Sequence, residues 1–125
     1  MMPAVIQVAL GGAIGAALRY LLGVGVARVW HGPIPLGVLA ANILGSFVLG
    51  VFVVYAERKG LTHLAPLIMT GMLGGFTTFS AFALETITLW ERGALHHALI
   101  YLTLSVILSV GGLVVGLWAA RVAFS

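Results

Sequence analysis

Residues 71–82 read Gly71-Met72-Leu73-Gly74-Gly75-Phe76-Thr77-Thr78-Phe79-Ser80-Ala81-Phe82, in the middle of an apolar run over about 64–90. A run of that length suffices for the ~20 residues that cross a bilayer as a helix. Its centre, however, is poorly suited to a continuous helix. Two glycines followed by two threonines weaken it at mid-membrane, by roughly 1 kcal/mol for each glycine. Backbone that leaves the helix at that depth is tolerated only inside protein or beside a water-filled cavity. The stretch therefore predicts a third span that is broken near mid-membrane. A continuous helix with a glycine packing notch is the alternative. A broken helix frees carbonyls that suit a cation and N–H groups that suit an anion.

Three more apolar stretches surround this one, at about 4–29, 35–55 and 94–120. The connections are short: His31-Gly32-Pro33-Ile34-Pro35, then Glu57-Arg58-Lys59-Gly60, then Glu91-Arg92-Gly93. Short loops make consecutive helices antiparallel neighbours. Trp30, Tyr55, Trp90 and Trp118 fall at span ends, where aromatic belts sit. The expected fold is all-α, one four-helix transmembrane domain over 1–125. Composition agrees: 62% of the 125 residues are hydrophobic and 7% are charged, with a mean hydropathy of +1.19. A soluble domain carries about a quarter charged residues, so lipid must be the solvent for most of this exterior. No Lys or Arg precedes the first apolar run and Gly11-Gly12 interrupts it, so it is read as a retained span and not a cleaved signal.

Small residues four apart mark helix contact faces: Gly11 and Gly15, Gly12 and Ala16, Gly37 with Ala41 and Gly45, Ser46 and Gly50, Gly112 and Gly116. They let backbones approach closely where lipid supplies no hydrophobic drive. Charge bias is nearly flat. Arg58, Lys59 and Arg121 fall on one side of the membrane, Arg28 and Arg92 on the other. Since Lys/Arg bias sets orientation, the count is compatible with insertion both ways and an antiparallel homodimer, or with a weak N-in signal. Four helices rarely enclose a polar path, which also favours a second copy.

Function is expected where polar groups lie at membrane depth. Arg19 is inside the first span and Asn42 near the middle of the second. Glu85 follows the unusual third-span segment, and Tyr101, Ser105 and Ser109 form an i, i+4, i+8 stripe on the fourth. Phe79 and Phe82 lie three apart. Ring edges are partly positive and can favour an anion, although lipid or core contact is the commoner use of such a pair. Other classes are excluded. The chain has no cysteine, and it lacks a Ser/His/Asp group in the membrane, paired carboxylates and a phosphate loop. His31, His63, His96 and His97 sit at loops or span ends, and adjacency of the last two predicts diverging side chains. The basic residues are scattered despite a pI near 10.0, so nucleic acid is not a partner. An enzyme is not expected.

Three segments in order then resemble the Fluc/CrcB family of small fluoride channels: residues 11–20 (Gly11 to Arg19-Tyr20), residues 42–47 (Asn42-Ile43-Leu44-Gly45-Ser46-Phe47) and residues 71–82. The resemblance covers essentially the whole chain. It implies an antiparallel, dual-topology homodimer in a bacterial-type cytoplasmic membrane, passing fluoride passively out of the cell through two pores. By that resemblance Asn42, Phe79 and Phe82 line the pores, and Ser80, Tyr101, Ser105 and Ser109 continue a polar track. Arg19 attracts anions at the entrance and Glu85 lies near the pore. A sodium ion is held at the dimer interface by the carbonyls of Gly74 and Thr77. Ala81 departs from the family, which often has a threonine there. A small four-helix proton-coupled multidrug exporter is the rival reading, but it needs a carboxylate at membrane depth and only Glu85 qualifies. A purely structural membrane protein would leave the polar stripe unexplained.

Overall fold

The computed structural model describes residues 2–125. Four helical stretches are long and apolar enough to cross a membrane: Ala4–Val29, Leu36–Lys59, Thr62–Glu91 and Leu95–Ala123. The first is α1 (Ala4–Val29), which starts after Pro3 and carries Arg28 in its last turn. The second is α2 (Leu36–Lys59), delivered by Pro35 and stopped by Gly60 in the left-handed region at φ 69°. Glu57, Arg58 and Lys59, expected in the connection, instead complete its last turn. Cations are favoured against the negative end of the helix dipole, and the left-handed glycine supplies the stop.

The third span is built in pieces. A short 3₁₀ turn at Thr62–Leu64 leads into a π-helical segment, Pro66–Leu73, which continues as α3 (Gly74–Phe76). After an interruption the span resumes as α4 (Phe79–Glu91). The wide π winding was not foreseen from the sequence; such segments are rare and often mark functional sites. The turn at Gly93, φ 80°, leads into α5 (Leu95–Ala123).

The two halves of the broken span have different neighbours. The π-helical segment and α3 pack on α1, whereas α4 packs on α5, which also lies along α2. The small-residue faces explain how closely they pack. A side chain at Gly11 would run into the Leu67 carbonyl, and one at Gly75 would come within 2.7 Å of the Gly12 carbonyl. On the other seam, a Cβ at Gly50 would lie 2.5 Å from the Leu113 carbonyl, and one at Gly116 would meet that of Phe47. A small apolar cluster of Leu39, Phe82, Leu89, Ala98 and Tyr101 ties α2, α4 and α5 together.

Candidate functional site

The break lies at Thr77-Thr78, the threonine half of the weak Gly-Gly-Phe-Thr-Thr stretch. Gly74 is still helical (φ −64°, ψ −37°). Thr77 (φ −86°, ψ 157°) and Thr78 (φ −152°, ψ 123°) are extended. β-branched residues accept that conformation readily, but its polar groups need partners at this depth. Asn42 supplies two of them. Its Oδ1 accepts from the Thr78 N–H at 2.8 Å, and its Nδ2 donates to the Thr78 carbonyl at 3.0 Å. The Thr78 hydroxyl accepts from the Ala81 N–H at 3.2 Å and so caps α4. Arg19 reaches from α1 and donates from Nε to the Gly75 carbonyl at 3.2 Å. Among the described residues, no backbone N–H is bonded to the carbonyls of Gly74 and Thr77.

The Asn42 amide can donate two hydrogen bonds. It is half committed: one amide hydrogen holds the break, and the second is left over from an NH₂ that has two. Asn42 borders a groove of about 380 Å³ whose walls also include Ser46, Gly74, Thr77, Thr78, Phe79, Phe82, Ser105 and Ser109, with apolar Leu49, Met69, Leu73, Val106 and Val110. Phe79 and Phe82 meet edge to face, centroids 5.6 Å apart at 61°. Phe82 is buried against Tyr101, with centroids 5.3 Å apart. Phe79 is 78% exposed, which leaves the groove open along its side.

On the other face of α4 is a second cavity of about 610 Å³. Its walls include Arg19, Tyr20, Pro35, Ala81 and Glu85. Thus α4 divides the two, with Ala81 and Glu85 toward this vestibule and Phe79 and Phe82 toward the groove. Tyr101 borders neither cavity. It is fully buried, and its hydroxyl lies beside the Glu85 carboxyl without reaching hydrogen-bond geometry. Ser80 also borders neither, and its hydroxyl sits 3.3 Å from that of Thr78.

Two groups of hydroxyls contrast. Those of Thr77, Thr86 and Thr88 bond back to carbonyls one turn earlier, at 2.7–2.9 Å, the usual use of such groups in membrane helices. The Tyr101, Ser105 and Ser109 hydroxyls and Glu85 Oε2 are buried with no hydrogen-bond partner among the described residues. Each such group costs about 1–3 kcal/mol, so a run of them on facing helices calls for a use. Thr78 and Ser46 were not singled out as site residues from the sequence. Thr78 adjoins the predicted break, and Ser46 lies one helical turn beyond Asn42 on the same face. One expectation is overturned: the His96 and His97 rings do not diverge but approach to 3.9 Å. They lie in the first turn of α5, where no preceding turn restricts their rotamers.

A bundle of four membrane spans, the third split at its centre between a largely apolar groove that holds a few hydroxyl and amide groups and a charged vestibule, is the build of a small channel-forming membrane protein. The chain belongs to the family described as CrcB-like protein, Camphor Resistance (CrcB), which matches residues 6–117, and it is a multi-pass membrane protein. It is similar to proteins named "Fluoride-specific ion channel FluC". That of Roseobacter denitrificans is 61% identical over 122 residues, covering 96% of this chain and 97% of the relative. That of Ruegeria sp. is 60% identical over 123 residues, covering 97% of both. That of Cereibacter sphaeroides is 51% identical over 121 residues, again covering 97% of both.

Proposed function

We propose that this chain passes fluoride passively across the cytoplasmic membrane, as one half of an antiparallel, dual-topology homodimer, and so protects the cell from fluoride. The observation that carries the reading is the groove beside the break. Its walls hold Asn42, whose amide has one N–H to spare, the unpartnered hydroxyls of Ser105 and Ser109, and the crossed rings of Phe79 and Phe82, with no Lys or Arg among them.

Fluoride is small and strongly hydrated, so a selective path must replace its water with donors at close range. In this reading Arg19 draws the anion into the vestibule. The Ser105 and Ser109 hydroxyls and the Asn42 amide then stand in for water, and Tyr101 and Ser80 extend the track beyond the groove. Ring edges of Phe79 and Phe82 carry partial positive charge and pass the ion without a full counter-charge. Conduction needs binding strong enough to admit an ion and weak enough to release it. Glu85, beside Tyr101, bounds the path on the vestibule side of α4.

The break also suits a cation. Hard ions prefer several oxygen ligands, and the Gly74 and Thr77 carbonyls lack backbone donors. One chain offers two, and a two-fold copy would make four. Bound there, a sodium ion supplies positive charge that offsets the cost of an anion in low dielectric. The exposed Phe79 side of the groove supports a second copy as its cover, and the remaining apolar faces contact lipid.

The test is ion release from liposomes that contain only the purified protein. Fast fluoride release without chloride release is the expected result. A folded protein that releases no fluoride, and instead exchanges protons for a cationic drug through Glu85, would overturn the proposal.

A further inference from the structure

We infer that Asn42 is a positioning residue for the cation site, holding the third span open so that the Gly74 and Thr77 carbonyls remain available. The inference rests on the sodium reading above.

In an unbroken helix the Thr78 N–H would bond to the Gly74 carbonyl and the Ala81 N–H to that of Thr77, each to the residue four before it. In this structure both donors are diverted. Thr78 N–H goes to Asn42 Oδ1, and Ala81 N–H goes to the Thr78 hydroxyl. The Asn42 Nδ2 satisfies the one remaining group of that residue, its carbonyl. Two diversions therefore leave two carbonyls without donors, and Asn42 anchors the residue on which both depend.

Take the Asn42 amide away and both polar groups of Thr78 lose their partners at membrane depth, where no water replaces them. Rewinding Thr77 into the helix is then the nearest remedy. It returns Thr78 N–H to Gly74 and Ala81 N–H to Thr77, which occupies both candidate ligands in one movement. Cation affinity is thus coupled to a side chain that donates nothing to the cation. The same Asn42 borders the groove, so the pore and the cation site share one residue.

The measurement is thermal unfolding of the purified full-length protein in detergent, across a sodium chloride series balanced with N-methylglucamine chloride at constant ionic strength. Wild type should gain stability with sodium. N42L, of similar size but unable to hold Thr78, should require at least about fivefold more sodium for the same gain, the lower bound that two competing hydrogen bonds imply. N42D keeps an acceptor for the Thr78 N–H and should retain the response. A response in N42L equal to wild type overturns the inference and leaves the sodium reading intact. No response in wild type overturns that reading, and this inference with it. Where N42L does not fold, N42D decides: a retained response supports the coupling and a lost one overturns it.

Discussion

Arg19 Nε donates to the Gly75 carbonyl at 3.2 Å, joining α1 to the last helical turn before the break across 56 residues of sequence. The contact answers how a guanidinium is kept inside a membrane span. Part of it is tied to a carbonyl at the negative end of a half-helix. Four of its five N–H groups are free of that bond, and Arg19 also borders the vestibule. Anchoring and attraction are thus carried by one side chain.

Lysine retains the charge of Arg19 but not the fork, and glutamine loses the charge. R19K should unfold with a loss of about 1–2 kcal/mol, the worth of one charge-assisted bond, while keeping most of its flux. R19Q should conduct less than R19K at low ionic strength, and the gap should narrow in high salt as screening shortens the reach of the charge. Paired flux and unfolding measurements at two salt concentrations check both statements.

Ser105 and Ser109 have hydroxyls without partners, so S105A and S109A should stabilise the fold, each by up to about 1–3 kcal/mol. Their fluoride flux should nevertheless fall. T86V removes a hydroxyl that is bonded to the Phe82 carbonyl at 2.8 Å and should leave flux unchanged. Flux lost in T86V and kept in both alanine variants would rule out the serine track.

The two phenylalanines should separate. Phe79 is exposed in the single chain and Phe82 is buried against Tyr101. F79I should leave the folded chain about as stable as wild type, whereas F82I should cost about 1–3 kcal/mol through lost packing. Both should lose fluoride flux, because each removes a ring edge. Liposome efflux beside thermal unfolding resolves the two effects.

Packing at the glycine seams is unforgiving at some positions and idle at others. A methyl at Gly15 would meet the Met72 carbonyl and lie 2.9 Å from the Phe76 nitrogen, whereas one at Gly111 would meet nothing within 4 Å. G15A should therefore lose about 1–3 kcal/mol or fail to accumulate, and G111A should match wild type. Size-exclusion profiles and unfolding temperatures of the two variants decide it.

The same contrast shows how far the sequence could be read. Gly11 and Gly15 announced a contact face by spacing, yet nothing in their spacing named the π-helical segment as what lies against it. Gly74, Gly75, Thr77 and Thr78 together signal a weak helix, and within that stretch the interruption falls at the threonines because that is where Asn42 can reach. Tyr101, Ser105 and Ser109 were visible as one stripe from helical periodicity. Their lack of partners was not, since the threonines that bond back to their own helix look identical in sequence.

By itself the sequence determined that the chain is all-helical, that it crosses a membrane four times, and that its third span is weak at the centre. Those properties follow from run length, composition and local propensity, which act within one segment. Tertiary structure alone decided which carbonyls at the break are bonded and which are free, and which side of α4 faces the groove. It also decided that Arg19 and Asn42 converge on adjacent turns of the third span. The physical reason is that an orphaned backbone group in lipid takes the nearest donor or acceptor, and nearness across helices is fixed by how closely their glycine faces allow the backbones to approach.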